Sequence, residues 1–429
     1  MAEFKTVRGM RDFLPGEAER LRSIEAKARE VAGLYGYGEI VTPVVESYDL
    51  LSAKAGEEVK SRMFVFKDLG GRDVALRPEF TASVARLVAS TLRNLARPFR
   101  LFSVGTVYRY DEPQRGRYRE FWQTNYELMG SSRPEADAEI LLLTNSLVRA
   151  AGLKRFAFKV GHVGVLGGIL GQEGLLDTVR AAVMQLMDKK QYEEAFKLVE
   201  SAGVSDTCMA MLRKLVEQKG NDVQGVVNNV TELVRAYERS VEAAQNLGAV
   251  LDLVSKSGCN VEVTVDAGFA RGLEYYTGMI FEVYVPDLDL ALGGGGRYDR
   301  LIELFGGEPT PAVGVAHGVD RIMLALGQEK PVLQAGEGNR VLVVPVNEQL
   351  RDEALRVAEA LRRAGVPVEA EVMGRKMTKA LEDADRRKLS FAVIVGEKEL
   401  KDGSVVLRNL AKREQRVVKV EEVAEAVRS

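Results

Sequence analysis

The chain has 429 residues, room for two or three domains, and its 46% hydrophobic content is ordinary for a packed core. A formal net charge of −2 gives no global basic field to announce a nucleic-acid partner, although a local basic face would be enough. Two cysteines (Cys208, Cys259) rule out a disulfide framework and, with two histidines (His162, His317), argue against a Cys/His zinc site. The N-terminus lacks an apolar h-region and no apolar run reaches spanning length, so a cytoplasmic protein with no membrane segment is expected.

Pro15 opens a helix in which Leu21, Ile24, Ala28, Val31, Ala32 and Tyr35 recur at helical spacing, until Gly33, Gly36 and Gly38 end it. Glu39–Val45 reads as a strand that Pro43 confines to an edge or a bulge. Residues 64–80 alternate about Gly70-Gly71 as a hairpin. Pro98–Tyr110 and Phe121–Leu128 are two more strands, joined by the polar loop Asp111–Glu120. Strands with scattered helices predict an α+β fold on an antiparallel sheet rather than a doubly wound one.

Residues 172–255 differ in character. Leu176, Val179, Val183, Leu186 and Met187 mark one amphipathic helix, Met211, Leu212, Leu215 and Val216 a second, and Val226, Val230, Leu233 and Val234 a third. A helical insertion is expected there. Strand character returns from Val261 to Ala291 and at Ala312–Ala316, ahead of a helix striped by Val319, Ile322, Met323 and Leu326. Gln328–Asn339 has the composition of a linker. Beyond it, strands Arg340–Val346, Val366–Val372 and Phe391–Val395 alternate with helical stretches 349–364 and 375–389, which predicts a separate α/β domain with a partly parallel sheet. The expected division is a sheet domain at 1–171 and 256–328, the insertion at 172–255, a linker at 329–338 and a terminal domain at 339–429. That last domain carries 19 Lys/Arg against 16 Asp/Glu, a slight basic excess compatible with RNA contact.

Chemistry is concentrated in segments far apart in sequence. An extended Arg77-Pro78-Glu79-Phe80-Thr81 would put Arg77, Glu79 and Thr81 on one face. Arg109–Arg119 holds four arginines in eleven residues and leads into a strand where Gln123, Asn125 and Glu127 share a face. Arg271-Gly272-Leu273-Glu274-Tyr275-Tyr276-Thr277-Gly278 sets a guanidinium and two phenols on a tight Gly-bounded segment; the fixed fork of a guanidinium suits a carboxylate or phosphate. Gly293–Gly296, followed by Arg297-Tyr298-Asp299, is not a phosphate loop, because no matching helix follows. Arg321 lies off the apolar stripe of its helix, near an N-terminus whose dipole favours anions.

Over nearly the whole chain these strings resemble the histidyl-tRNA synthetases, which are class II aminoacyl-tRNA synthetases; residues 172–255 match in position and helical character more than in residues. The resemblance implies a homodimer that uses ATP and Mg²⁺ to convert L-histidine to histidyl-adenylate and pyrophosphate. It then passes histidine to the 3′-terminal adenosine of tRNA(His). Val107–Gln123 resembles motif 2, placing Arg109 on the α-phosphate and Arg117 on the outer phosphates. By the same resemblance Glu79 and Thr81 take the α-amino group, Gln123 the backbone end of histidine and Glu127 an imidazole nitrogen. Arg271 becomes the electrophilic catalyst beside Arg109, and Tyr275 and Tyr276 line the imidazole pocket. In the family the Gly293–Gly296 run lets backbone approach bound histidine and adenylate.

Ala312–Arg321 resembles motif 3, with Arg321 on the γ-phosphate or the adenine, and Glu39–Glu46 resembles the dimer-forming motif 1. Arg340–Ser429 resembles an anticodon-binding domain, with Arg375, Lys376 and Lys379 at the start of its second helix as RNA contacts. The insertion is expected to clamp the acceptor stem, and the loops at 56–67 and 111–120 to close over substrates. Trp122 stands where many members have His, and Glu274 where Asp is commoner. A non-catalytic alternative is the histidine-binding regulatory subunit of ATP phosphoribosyltransferase. Arg271 and the terminal domain argue against it, as Glu127 and the 271–278 string argue against a synthetase for another amino acid.

Overall fold

The computed structural model describes residues 4–53, 55–271, 275–286, 288, 291–328 and 340–428. The chain forms two compact units, residues 1–333 and 334–429. The linker expected at 329–338, like Glu274, falls outside the described residues.

Helix α1 (Pro15–Leu34) begins at the proline, whose missing N–H is no loss at a first helical position. Pro43 does more than kink a strand. It separates β1 (Gly38–Glu39) from β2 (Val45–Ser47), and the two join different sheets. After α2 (Tyr48–Ser52) and α3 (Glu57–Lys60), β3 (Val65–Lys67) and β4 (Asp73–Leu76) complete a three-stranded antiparallel sheet with β2. A helix then follows that sequence periodicity did not suggest, α4 (Thr81–Ser90).

The long pair β5 (Phe99–Tyr108) and β6 (Glu120–Met129) is antiparallel throughout. Next come α5 (Pro134–Ala150), β7 (Ala157–His162) and α6 (Val163–Gln172). Residues 172–255 then form α7 (Asp177–Asp188), α8 (Tyr192–Ser201), α9 (Asp206–Glu217), α10 (Val223–Leu233) and α11 (Glu238–Lys256). One short strand interrupts them, β8 (Lys219–Gly220), and it pairs into the large sheet. The unit ends with β9 (Val263–Asp266), β10 (Met279–Tyr284), β11 (Ala291–Arg297), α12 (Leu301–Leu304), β12 (Ala312–Gly318) and α13 (Val319–Gln328).

The large sheet has nine strands in the order β1-β5-β6-β12-β11-β10-β7-β9-β8. Its middle pairings, from β5 to β7, are all antiparallel. One face is covered by helices: α1 packs on α5 and α13, and α11 packs on α5 and α6. Buried Tyr126 on β6 donates to the carbonyl of Ala28 in α1. His317 on β12 sits between the hydroxyls of Thr124 and Thr144, and burial pushes its pKa down to about 3, so the ring is a neutral core group. Because strand side chains alternate, Gln123, Asn125 and Glu127 lie on the opposite face from Tyr126.

In the second unit, β13 (Val341–Pro345), α14 (Arg351–Arg363), β14 (Val368–Ala370), α15 (Met377–Arg386) and β15 (Phe391–Val395) bring three strands into parallel register. Beyond α16 (Glu397–Lys401), an antiparallel hairpin of β16 (Ser404–Asn409) and β17 (Glu414–Lys419) extends that sheet, and α17 (Val423–Arg428) follows.

Candidate active site

The extended run expected at 77–81 does not form. Arg77 is buried and donates to the carbonyls of Thr42 and Thr106, with its guanidinium 4.2 Å from the Phe80 ring centre. Glu79 instead accepts from the amides of Thr81 (2.6 Å) and Ala82 (2.9 Å). Those amides open α4 and have no partner within the helix, so a carboxylate is the natural cap. Arg77 therefore belongs to the scaffold, while Glu79 and Thr81 face a cavity.

That cavity is lined by Glu79, Thr81, Gln123, Tyr275 and Tyr276, together with Arg109, Arg271 and Arg321. Gly314 and Gly318 line it too, and in the β6–β12 register Gln123 lies opposite Gly318 and Glu127 opposite Gly314. Four residues of strand span about 13 Å.

Glu127 itself is not on the wall. It lies beneath, fully buried, and accepts from Thr81 Oγ1 (2.6 Å), Asn125 Nδ2 (3.0 Å) and the Tyr298 hydroxyl. Burial pushes its pKa up to about 7, against those three hydrogen bonds, which pull it down. The opposing residue has to be glycine, because a Cβ at Gly314 would collide with the Glu127 carboxylate. Tyr275 packs edge-on to Tyr298 at 5.6 Å and lies 4.9 Å from Tyr276, continuing an aromatic wall. Gln123 Oε1 is buried and has no hydrogen-bond partner among the described residues. Leaving such an acceptor unmet costs about 1–3 kcal/mol unless a ligand supplies a donor.

The other end of the cavity is cationic. Arg109 leaves β5 with its Nε donating to the Pro78 carbonyl. Arg271 donates from Nη1 to the Phe281 carbonyl, 3.4 Å from Glu282, and lies over β11 where a Cβ on Gly294 would strike it. The glycine run is thus a mid-sheet strand that makes room for a guanidinium. Arg321 donates to the carbonyls of Gly116 (3.3 Å) and Ala291 (2.8 Å). Burial pushes its pKa down to about 10, and the neighbouring charges of Arg109, Arg117 and Arg271 add to the effect. Arg117 is off the wall, exposed on the loop, yet close enough to be felt. Four guanidiniums from three distant segments crowd one place, a strong electrostatic demand for an anion.

Tyr298 was missed in the sequence, where the glycines beside it drew the reading. Its neighbour Arg297 is buried against the carboxylate of Asp137 and anchors this end of β11. Phe121 and Glu282 also line the cavity without having been foreseen. In the second unit, α15 starts at Met377, so Arg375 precedes it. Arg375 is tied to Glu371 (2.8 Å) and Asp383 (2.9 Å), whereas Lys376 and Lys379 are exposed.

Comparisons with known proteins identify the family. The family model described as Histidyl-tRNA synthetase matches residues 9–322, and one described as an Anticodon binding domain matches residues 340–429. The chain is 40% identical over 422 residues to a Histidine–tRNA ligase of Methanocaldococcus jannaschii, covering 98% of each chain. It resembles the apo S. aureus histidyl-tRNA synthetase with a TM-score of 0.70 at 26% identity, covering 99% of this chain and 100% of that one. It also resembles a Bacillus halodurans C protein described as an ATP phosphoribosyltransferase regulatory subunit/histidyl-tRNA synthetase, with a TM-score of 0.79 at 26% identity over 92% and 99% of the two chains. Since the match covers both the unit that holds the cavity and the terminal unit, the chain belongs to the histidyl-tRNA synthetase family.

Proposed function

We propose that the chain is a histidine–tRNA ligase whose adenylation site is the cavity on β6. The observation that carries this is one cavity that gathers Arg109, Arg271 and Arg321 on its wall and has the buried Glu127 carboxylate beneath it. Glu127 accepts a ring N–H of histidine, and an amino acid without that donor leaves it unpaired. Gln123 Oε1 and Glu79 take the α-amino group, with Thr81 beside them, and Tyr275 and Tyr276 enclose the imidazole.

The histidine carboxylate attacks the α-phosphorus of ATP and pyrophosphate leaves. Arg109 and Arg271 flank that phosphorus and stabilise the charge on its equatorial oxygens, while Arg117 and Arg321 hold the outer phosphates. Mg²⁺ screens the phosphates when it is bound with ATP. Glu282, a hard oxygen donor on the cavity wall that pairs with Arg271 and Lys159, would hold such an ion together with the phosphate oxygens.

The 3′-terminal adenosine of tRNA(His) then attacks the adenylate carbonyl and AMP leaves. A second cleft, about 870 Å³, reaches Arg271 and Tyr276 from the side of α6, α7 and α11, with Arg239 and Arg300 on its walls. We assign the acceptor end to it, residues 172–255 acting as a clamp on the sheet domain, and the anticodon to residues 339–429 through Lys376 and Lys379. A homodimer would cover Val41, which is 92% exposed beside β1, and the exposed Val65 and Phe66. No helix among the described residues is long and apolar enough to cross a membrane, and the proposed site of action is the cytoplasm.

The test is ATP–pyrophosphate exchange on the purified chain with each of the twenty amino acids. Exchange with histidine alone is expected. A folded protein that binds histidine but supports no exchange would overturn the proposal in favour of the regulatory reading.

A further inference from the structure

The N-terminal segment and Trp122 have no part in that chemistry, yet they join two pieces of it. Residues 7–13 cross the loop that carries Arg117. The Gly9 carbonyl accepts from the Arg119 amide (2.8 Å), and Gly9, at φ +85°, lies so close to Arg119 that a Cβ would come within 2.7 Å of its side chain. Phe13 packs edge-on against Trp122 at 5.1 Å, on the face of β6 turned away from the cavity.

Between these two fastenings lies Arg11. Its guanidinium stacks over the Tyr118 ring at 3.7 Å and over Phe13 at 4.4 Å, and it forms an ion pair with Asp320. The Asp320 side chain is only 2% exposed, and its second oxygen accepts from the Trp122 amide at 2.7 Å. Tyr118 follows Arg117 in sequence, and Asp320 precedes Arg321. Arg117 and Arg321 repel one another, so the loop is held beside the helix by other contacts. The Arg321 bond to the Gly116 carbonyl is one, and the Arg11 bridge is another.

We propose that Arg11 is a positioning residue for ATP: by stacking on Tyr118 and pairing with Asp320, it sets Arg117 and Arg321 at the separation the outer phosphates require. This rests on the reading of those two arginines as phosphate ligands. It never touches the substrate, so its removal affects ATP and spares histidine.

The test is histidine-dependent exchange on wild type, Arg11→Met, Arg11→Lys and Tyr118→Leu, with KM measured separately for each substrate. Arg11→Met is expected to raise KM for ATP by about tenfold or more with KM for histidine within about twofold. Arg11→Lys recovers part of the loss, since it keeps the charge for Asp320 but not the flat stacking face. Tyr118→Leu changes only a half-buried loop residue; it guards against misfolding of the Arg11 variants and should show the same split. Unchanged KM for ATP in Arg11→Met and Tyr118→Leu, or parallel rises for both substrates, would overturn the proposal. Absence of exchange in the wild type would instead remove the reading beneath it.

Discussion

The two ends of the cavity are built on different principles. At the Glu127 end, the partners sit on regular elements or directly next to one: Asn125 on β6, Thr81 at the start of α4, and Tyr298 one residue past β11, with Gly314 of β12 leaving space. At the arginine end, the charges come from a strand exit, an exposed loop, the stretch before β10 and a helix start. Hydrogen-bond recognition of a small ring fails with errors of well under an ångström, so it needs rigid supports. Coulomb attraction to a triphosphate falls off slowly and tolerates looser mounting. Specificity for the amino acid should therefore reside in the sheet, and the handling of ATP in segments that still need fastening.

That contrast breaks most visibly at Arg271, which the proposed function places on the reacting phosphorus. Arg271→Ala is expected to lower kcat in the exchange assay by about 10³-fold, the upper range for removing one preorganised donor, with little change in KM for histidine. A tenfold rise in KM for histidine at unchanged kcat would place Arg271 at the other end of the cavity.

Glu127→Gln comes next, with kcat/KM for histidine down about 10²-fold and KM for ATP unaffected. Its pH dependence sharpens the comparison. Burial raises the Glu127 pKa to about 7, so the carboxylate is mostly protonated below that pH and ionised above it. Histidine affinity in the wild type should therefore improve as pH rises through 7. In the variant that limb disappears and only the titration of the substrate imidazole, near about 6.5, remains. A profile identical in the two proteins would show that Glu127 does not titrate in recognition.

Much of the site was legible in the sequence because its residues lie on strands, where period two fixes the face. That rule puts Gln123, Asn125 and Glu127 on one face, and the family resemblance singles out Gln123 and Glu127 among them. The rule failed at Arg77–Thr81, where Pro78 breaks the extension and Glu79 caps a helix, turning Arg77 to the other side. Tyr298 could not be inferred from spacing, since its partner Glu127 is 171 residues away. Arg11 sits in a stretch without periodicity, and its role depends on three contacts that only folding creates. In the terminal unit, a basic run reads alike whether its charges are free or paired, and Arg375 proves to be paired.

The most direct test of the division is calorimetric binding of histidine, without ATP, to wild type, Glu127→Gln and Arg321→Ala. The account predicts a loss of about 10²-fold for Glu127→Gln and less than about twofold for Arg321→Ala. Equal losses in the two variants, or a loss confined to Arg321→Ala, would contradict it.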